Sequence, residues 1–492
     1  MIERLYQPDY SCIFGKKFTN AFLYPQIDSL VWPIFKDTEK SQKLQNLLAL
    51  KNQTSHSNFY HRKLSLDDLK IELECSKIEI TFLQAMNLNR DYGIANEDVA
   101  NVITKEPGIF KAILSFALID KKEEILQEIR KYSNNFDIVG VVLYPSYTKL
   151  NLHDPDNIQL IKLLDYLREK NVFLKIDIGN SYFPDYHDGY ISKEIIQSFI
   201  SKYPQNKIVL SGLDISGDFG LYYQLLKYHN NLWLELEPRT LGGMSPTNYF
   251  DTIFSISGFI QNTWHRFLIG SSSPTLEISQ ISRGLWEATE KLNFSQKCVL
   301  RTWGFRNAVR LKPTSYNISK EKLDKFNTLI ATSIEKEKKN EMEVNVSYKV
   351  KLRSFSITQL IFLTDIIKNI FNEVHKKYPS YNQGTLFLKS YHTTTSLITN
   401  EHEYGNYLDL HFRFAEISRK DSSNYFHTVR ALENRADFNR FDHDLATDFG
   451  NRQLILPISK GKLDIGNREN FYILVTFGPR TIQIYLNIRL LK

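Results

Sequence analysis

The chain has 492 residues, more than one core ordinarily serves, and its 42% hydrophobic and 24% charged content excludes intrinsic disorder. Its 62 basic and 55 acidic residues leave a formal charge of +7, with no Lys/Arg block of the kind that tracks a phosphate backbone, so no nucleic-acid partner is expected. The three cysteines, Cys12, Cys75 and Cys298, are far apart and unpaired in spacing, which argues against a disulfide framework or an all-cysteine zinc site.

The opening residues Met1, Ile2, Glu3, Arg4 and Leu5 lack the apolar core of a signal peptide, and no apolar run reaches membrane-spanning length. A soluble, cytoplasmic protein without a membrane partner is expected. The first hundred residues are irregular, with one strand expected at residues 27–31. From about residue 110 to 310 the pattern is strand then helix, repeated. Strands are expected at 113–119, 138–143, 172–176, 208–210, 232–236 and 267–269. Helices are expected at 121–131, 157–170, 192–201, 221–228 and 276–292. Short apolar strands separated by longer helices predict a parallel sheet covered on both faces, and the number of units predicts a (β/α)8 barrel, with an open doubly wound sheet as the alternative.

Beyond Pro313 the pattern changes. Residues 320–334 read as helix, and the charged run Glu335–Glu343 reads as a solvated linker or helix end. Strands are then expected at 344–355, 384–389, 454–458, 471–475 and 481–488, with one helix at 358–375. That is an α+β domain. The expected organisation is a barrel over 1–315, a charged linker or helix over 316–343 and an α+β domain over 344–492.

Four phrases in the first part, taken in order, resemble the amidohydrolase superfamily. They are Gly140-Val-Val-Leu-Tyr-Pro-Ser-Tyr147, Ile208-Val-Leu-Ser-Gly-Leu213, Phe267-Leu-Ile-Gly-Ser-Ser-Ser-Pro274 and Asn307-Ala-Val-Arg-Leu311. The resemblance implies metal ligands at strand ends, where imidazoles and a carboxylate hold ions that activate water. Here Leu30 and Trp32 stand at the expected His-x-His, Gly212 at a third histidine and Ser272 at the aspartate. Asp177 replaces a further histidine and alone remains a hard ligand. No metal is therefore expected at that position. A rebuilt site at the barrel mouth would draw on Asp177, Asp214, Glu235, Glu237 and Arg239, as a hydrolase or lyase; ordinary strand-end ion pairs are the plainer reading. His56, His61, His153, His187, His229 and His265 are expected to be surface or packing residues.

The C-terminal part resembles the YjbQ family over its length. The phrases are His392-Thr-Thr-Thr-Ser-Leu-Ile-Thr-Asn-Glu401, Tyr425-Phe-His427, Asn439-Arg-Phe-Asp-His443, Leu456-Pro-Ile458 with Gly461 to Gly466, and Gly478-Pro-Arg480. Where the family follows its last glycine with Thr-Trp-Gln, this chain has Asn467-Arg468-Glu469. Taken as chemistry, His392, His427 and His443 are three imidazoles from separate segments. They suit a zinc ion with one open position, and equally proton donors or an anion-binding cluster. Thr393, Thr394 and Thr395 offer hydroxyls, and Glu401 a general base or orienting group. If its segment is helical, Asn439 shares a face with His443. With Arg480 these residues predict an enzyme acting on a small anionic or phosphorylated substrate. The resemblance implies homotrimers assembled through this domain and a thiamine-phosphate synthase-like transferase. A non-catalytic scaffold with an oligomerisation module is the remaining alternative.

Overall fold

The computed structural model describes residues 21–34, 42–47, 64–119, 124–179, 183, 185–213, 215, 219–238, 244–312, 316, 319–403, 405–417, 426–427, 437 and 439–492. The chain divides into two units, Tyr24–Asn317 and Ile318–Lys492, the second joined by the N-terminal residues up to Leu23. Among the described residues no helix is long and apolar enough to cross a membrane.

In the first unit eight parallel strands follow one another in chain order: β1 (Ile27–Val31), β2 (Ile80–Gln84), β3 (Phe110–Ser115), β4 (Ile138–Leu143), β5 (Phe173–Asp177), β6 (Ile208–Ser211), β7 (Leu232–Leu236) and β8 (Phe267–Ile269). Most strand residues are buried on both faces, and β4 reads as a continuous apolar run rather than an alternating one. The intervening helices each bury one stripe. In the helix Ile125–Ser133 it is Ile125, Ile129 and Tyr132, and in Lys193–Lys202 it is Ile196, Phe199 and Ile200. The seam between β8 and β1 is closed by Ser272 N–H to the Leu30 carbonyl (3.0 Å) and Trp32 N–H to the Ser273 carbonyl (2.8 Å). The Asp28 carboxylate adds bonds from Ser271 N–H (2.9 Å) and Ser271 Oγ (2.6 Å). The expected parallel barrel is what forms.

The second unit holds two antiparallel sheets. One runs β15-β14-β12-β17-β10-β9 and the other β11-β16-β13. In chain order these are β9 (Leu329–Lys339), β10 (Glu343–Arg353), β11 (Gln359–Phe362), β12 (Gln383–Ser390), β13 (Thr395–Glu401), β14 (Gln453–Ser459), β15 (Lys462–Leu463), β16 (Glu469–Val475) and β17 (Thr481–Leu491). One apolar core takes in Val344, Val350, Leu386, Ile473 and Ile484 from both sheets, together with Ile367, Phe371 and Val374 of the helix Thr364–Lys377. Alternation of buried and exposed residues along β17 is the mark of a sheet covered on one side.

Three expectations change here. The charged run Glu335–Glu343 is no linker: its residues through Lys339 finish β9, and Glu343 begins β10. β9 is an edge strand, exposed along nearly its whole length and paired only with β10, so nothing demands apolar residues in it and its lysines keep other chains away. The helix expected at 320–334 stops at Phe326. The helix expected at 358–375 begins only at Thr364, because residues 359–362 pair with β16 as β11.

Candidate functional site

The C-terminal residues singled out from the sequence separate into a group that meets and one that does not. β12 ends at Ser390, and a tight connection to β13 carries His392 and Thr394. It is held by Thr395 Oγ1 donating to the His392 carbonyl (2.8 Å) and by the Ser390 and Thr395 hydroxyls at 2.5 Å. Thr476, just past β16, joins this connection to the next element: its Oγ1 lies 3.0 Å from the Thr394 carbonyl and 2.7 Å from the Asp442 carbonyl. Asp442 and His443 lie in the helix Arg440–Asp448. Thr476 thus fixes His443 relative to His392, a role its position in the sequence did not signal.

Gly478 then turns the chain toward β17. A Cβ there would lie 2.2 Å from the Ser356 carbonyl oxygen, so no side chain fits. The backbones of Arg480 and residue 354 are tied by Arg480 N–H to Ser354 Oγ and Ser354 N–H to the Arg480 carbonyl, each 2.9 Å. The Arg480 guanidinium lies over the Phe477 ring at 4.6 Å and donates from Nη1 to Thr394 Oγ1 at 3.4 Å. Among the described residues it forms no ion pair, and its Nε is buried without a hydrogen-bond partner.

His427 and His443 face each other with ring centres 5.2 Å apart. Burial, the neighbouring His427 and the cations Arg440 and Arg480 hold the His443 imidazole below its ordinary pKa, with Asp444 opposing. Burial and then Arg480 do the same for His392. His427 Nδ1 and Asn439 Oδ1 are further buried atoms without partners. Asn439 is the N-cap residue of the helix, yet its side chain makes no capping bond. Arg480 Nε, His427 Nδ1 and Asn439 Oδ1 are thus three buried polar atoms without a hydrogen-bond partner among the described residues.

Glu401 is elsewhere. It ends β13, whose seven residues run away from Thr395 by roughly 20 Å at the usual rise per residue. There it accepts a bond from Arg468 at 2.6 Å. The substitution of Arg468 into the Thr-Trp-Gln position therefore has a partner, and Glu401 is no neighbour of the imidazoles. Thr393 is exposed, whereas Thr394 is buried beneath Arg480. Among the described residues no three or more His, Cys, Asp or Glu side chains gather as metal ligands. Arg480 also places a fixed positive charge beside His392 and His443, so this donor set fits an anion better than a zinc ion.

In the barrel, Leu30 and Trp32 are fully buried, Gly212 has φ 75° and Ser272 has φ 57° with its Oγ on Glu237 Oε2 at 3.0 Å. Asp177 ends β5 and accepts Gly179 N–H at 3.1 Å. Asp214 and Arg239 lie outside the described residues, as do His56 and His61. The sequence reading passed over Lys175. Its ammonium is wholly buried and held by both Glu235 oxygens (2.7 and 2.8 Å), Gln84 Oε1 (2.8 Å) and the Ser29 carbonyl (3.3 Å). A lysine flanked by Leu174 and Ile176 inside a buried strand was the available signal.

The sequence model of the UPF0047 protein YjbQ-like family matches residues 349–489. A UPF0047 protein of Archaeoglobus fulgidus is 33% identical over 101 residues, covering 20% of this chain and 74% of the relative. An uncharacterized TIM-barrel protein from Bordetella bronchiseptica is 19% identical, covering 56% of this chain and 98% of its own, with a TM-score of 0.42. An amidohydrolase from Burkholderia multivorans is 12% identical, covering 58% and 98%, with a TM-score of 0.39. The barrel assignment rests on the strand order and register above. Through its C-terminal domain the chain belongs to the UPF0047 YjbQ-like family.

Proposed function

We infer that the C-terminal domain is an enzyme acting on a small phosphorylated or otherwise anionic substrate, held by Arg480 and Thr394 and worked on by His392, His427 and His443. The observation that supports this most directly is the Arg480 guanidinium, which has no carboxylate partner among the described residues and a buried Nε without any partner. Guanidinium suits a phosphate or carboxylate, taking two oxygens at once. Two imidazoles kept neutral beside it are able to accept a proton from an attacking group or, once protonated, to give one to a departing phosphate oxygen. Asn439 supplies an amide to orient the substrate. Glu401 takes no part in this reading.

The family resemblance suggests a transferase of the thiamine-phosphate synthase kind. There a thiazole ring nitrogen would form a bond to the methylene carbon of a pyrimidine diphosphate as the carbon–oxygen bond breaks and diphosphate leaves. The leaving group carries the charge that Arg480 and a protonated imidazole would stabilise.

The test is calorimetric titration of the full chain with inorganic diphosphate, alongside a diphosphate-release assay and elemental analysis. Wild type should bind diphosphate without bound transition metal. Arg480→Gln should weaken binding by about tenfold or more, and His443→Gln should abolish release while binding persists. Stoichiometric zinc lost in His392→Ala, or unchanged diphosphate affinity in Arg480→Gln, would sink the reading.

A further inference from the structure

The segments after β2 and β3 at the barrel's C-terminal end line a half-open cavity of about 160 Å3. It is the end of the barrel at which this architecture binds ligands. The cavity is distinct from the Lys175 network. That ammonium is already saturated by oxygens and closed to solvent, so it offers an incoming molecule nothing.

The walls are held in place. After β2 the chain folds back so that Met86 and Ile94 exchange both backbone hydrogen bonds, at 2.8 and 3.0 Å. Gly93 permits this at φ 141°, where a Cβ would lie 2.4 Å from the Met86 carbonyl oxygen. Asn96 clamps the end of β3 by accepting Ser115 N–H (2.8 Å) and donating to the Ser115 carbonyl (3.1 Å). Asn87 N–H is bound to Ser115 Oγ at 2.9 Å.

Three side chains on these walls carry the chemistry. Arg90 and Glu128 line the same space but do not pair with each other. Arg90 uses its Nε on Asp185 at 3.3 Å, and Glu128 uses one oxygen on Asn96 Nδ2 at 3.3 Å. Tyr92 is 9% exposed, and its hydroxyl is a buried atom without a hydrogen-bond partner. Met86, Leu88 and Ile94 give the cavity an apolar side.

We propose that this cavity binds a small zwitterion, an α-amino acid with a short apolar side chain. Its carboxylate meets Arg90 and the Tyr92 hydroxyl, and its ammonium meets Glu128. Arg90 and Glu128 stand on one cavity without pairing with each other, and Arg90, bound to Asp185 through Nε and to the Asn89 carbonyl through Nη1, keeps its Nη2 for a ligand, so the pair matches a molecule carrying both charges. The orphaned phenol is the group such a carboxylate satisfies. A volume of about 160 Å3 suits a molecule of alanine to valine size.

The proposal is independent of the Arg480 site. L-Alanine, L-serine and L-valine are titrated into the full chain by calorimetry, with propionate and ethylamine as the two halves of the ligand. At least one amino acid should bind, with each half weaker by about tenfold or more, since each lacks one charge-assisted contact. Arg90→Gln and Glu128→Gln should each lower the affinity by a similar factor, and Tyr92→Phe by several-fold, all three retaining the wild-type melting profile. Arg90 and Glu128 are only half-buried, so the fold tolerates them. Absence of binding by all three amino acids overturns the proposal. So does propionate binding as well as alanine, or full affinity in both charge variants.

Discussion

Burial sets the pH behaviour of the C-terminal imidazoles, and Arg480 adds to it. Burial first, and then the nearby cations including Arg480, hold His392 and His443 below the ordinary imidazole range, so both are neutral at pH 7. An anion reverses that balance, since a protonated imidazole gains a partner when the site is filled. Anion affinity should therefore rise as pH falls through the depressed imidazole range, below the ordinary 6.5, with proton uptake on binding. Sulfate is the cleaner probe because its own charge is constant over this interval. Calorimetry in buffers of differing ionisation enthalpy would count the protons. His427, Arg440 and Asp444 also face His443, so His443→Gln should remove part of the slope and Arg480→Gln should move what remains to higher pH while weakening binding throughout. A flat profile from pH 7.5 to 5 would count against imidazoles at the anion. The histidines, Thr394 and Arg480 could be singled out beforehand because each sits in a phrase that resembles the family. Thr476 was not, because a threonine after a buried strand carries no signal until its two carbonyl partners are known.

At the level of elements, β13 decides which motif residues meet. Its start at Thr395 adjoins His392 and Thr394 and its end at Glu401 does not, although all lie in one ten-residue phrase. Sequence proximity misled because an extended strand converts a short separation into a long distance. Glu401 instead faces Arg468, whose side chain is 79% exposed. An exposed pair of this kind contributes about 0–1 kcal/mol. Arg468→Ala should therefore lower the free energy of urea unfolding by no more than that and leave diphosphate affinity unchanged. A large loss of affinity would return Glu401 to the site. β9 was illegible for a related reason. The reading of charged runs as linkers assumes that a strand shows a buried face, and an edge strand with both faces in water need not. The one-sided strands β10, β12 and β17 kept their alternation and were found close to their observed limits.

For the whole molecule, the barrel was legible as a rhythm of strands and helices, but its interior was not. Interior layers of such barrels are ordinarily filled by branched apolar side chains contributed by alternate strands. Here Ser29 of β1, Lys175 of β5 and Glu235 of β7, all odd-numbered strands, form a polar layer, joined by Gln84 of β2, whose Nε2 donates to Tyr144 Oη at 2.8 Å. Both ions of the Lys175–Glu235 pair are wholly buried. Removing one partner strands the other in a low-dielectric interior, and the cost is about 3–5 kcal/mol. Lys175→Met should lose that much stability in urea unfolding, because the Glu235 carboxylate keeps only Ser29 Oγ. Replacing both ions, as in Lys175→Met with Glu235→Leu, removes the stranded charge and should recover at least half of the loss. Full recovery is not expected, since Gln84 Oε1 is then left without its donor, at about 1–3 kcal/mol. If the double variant instead lost the sum of the two single losses, the ions would be acting separately, and the pair would not be what fills the centre of this barrel.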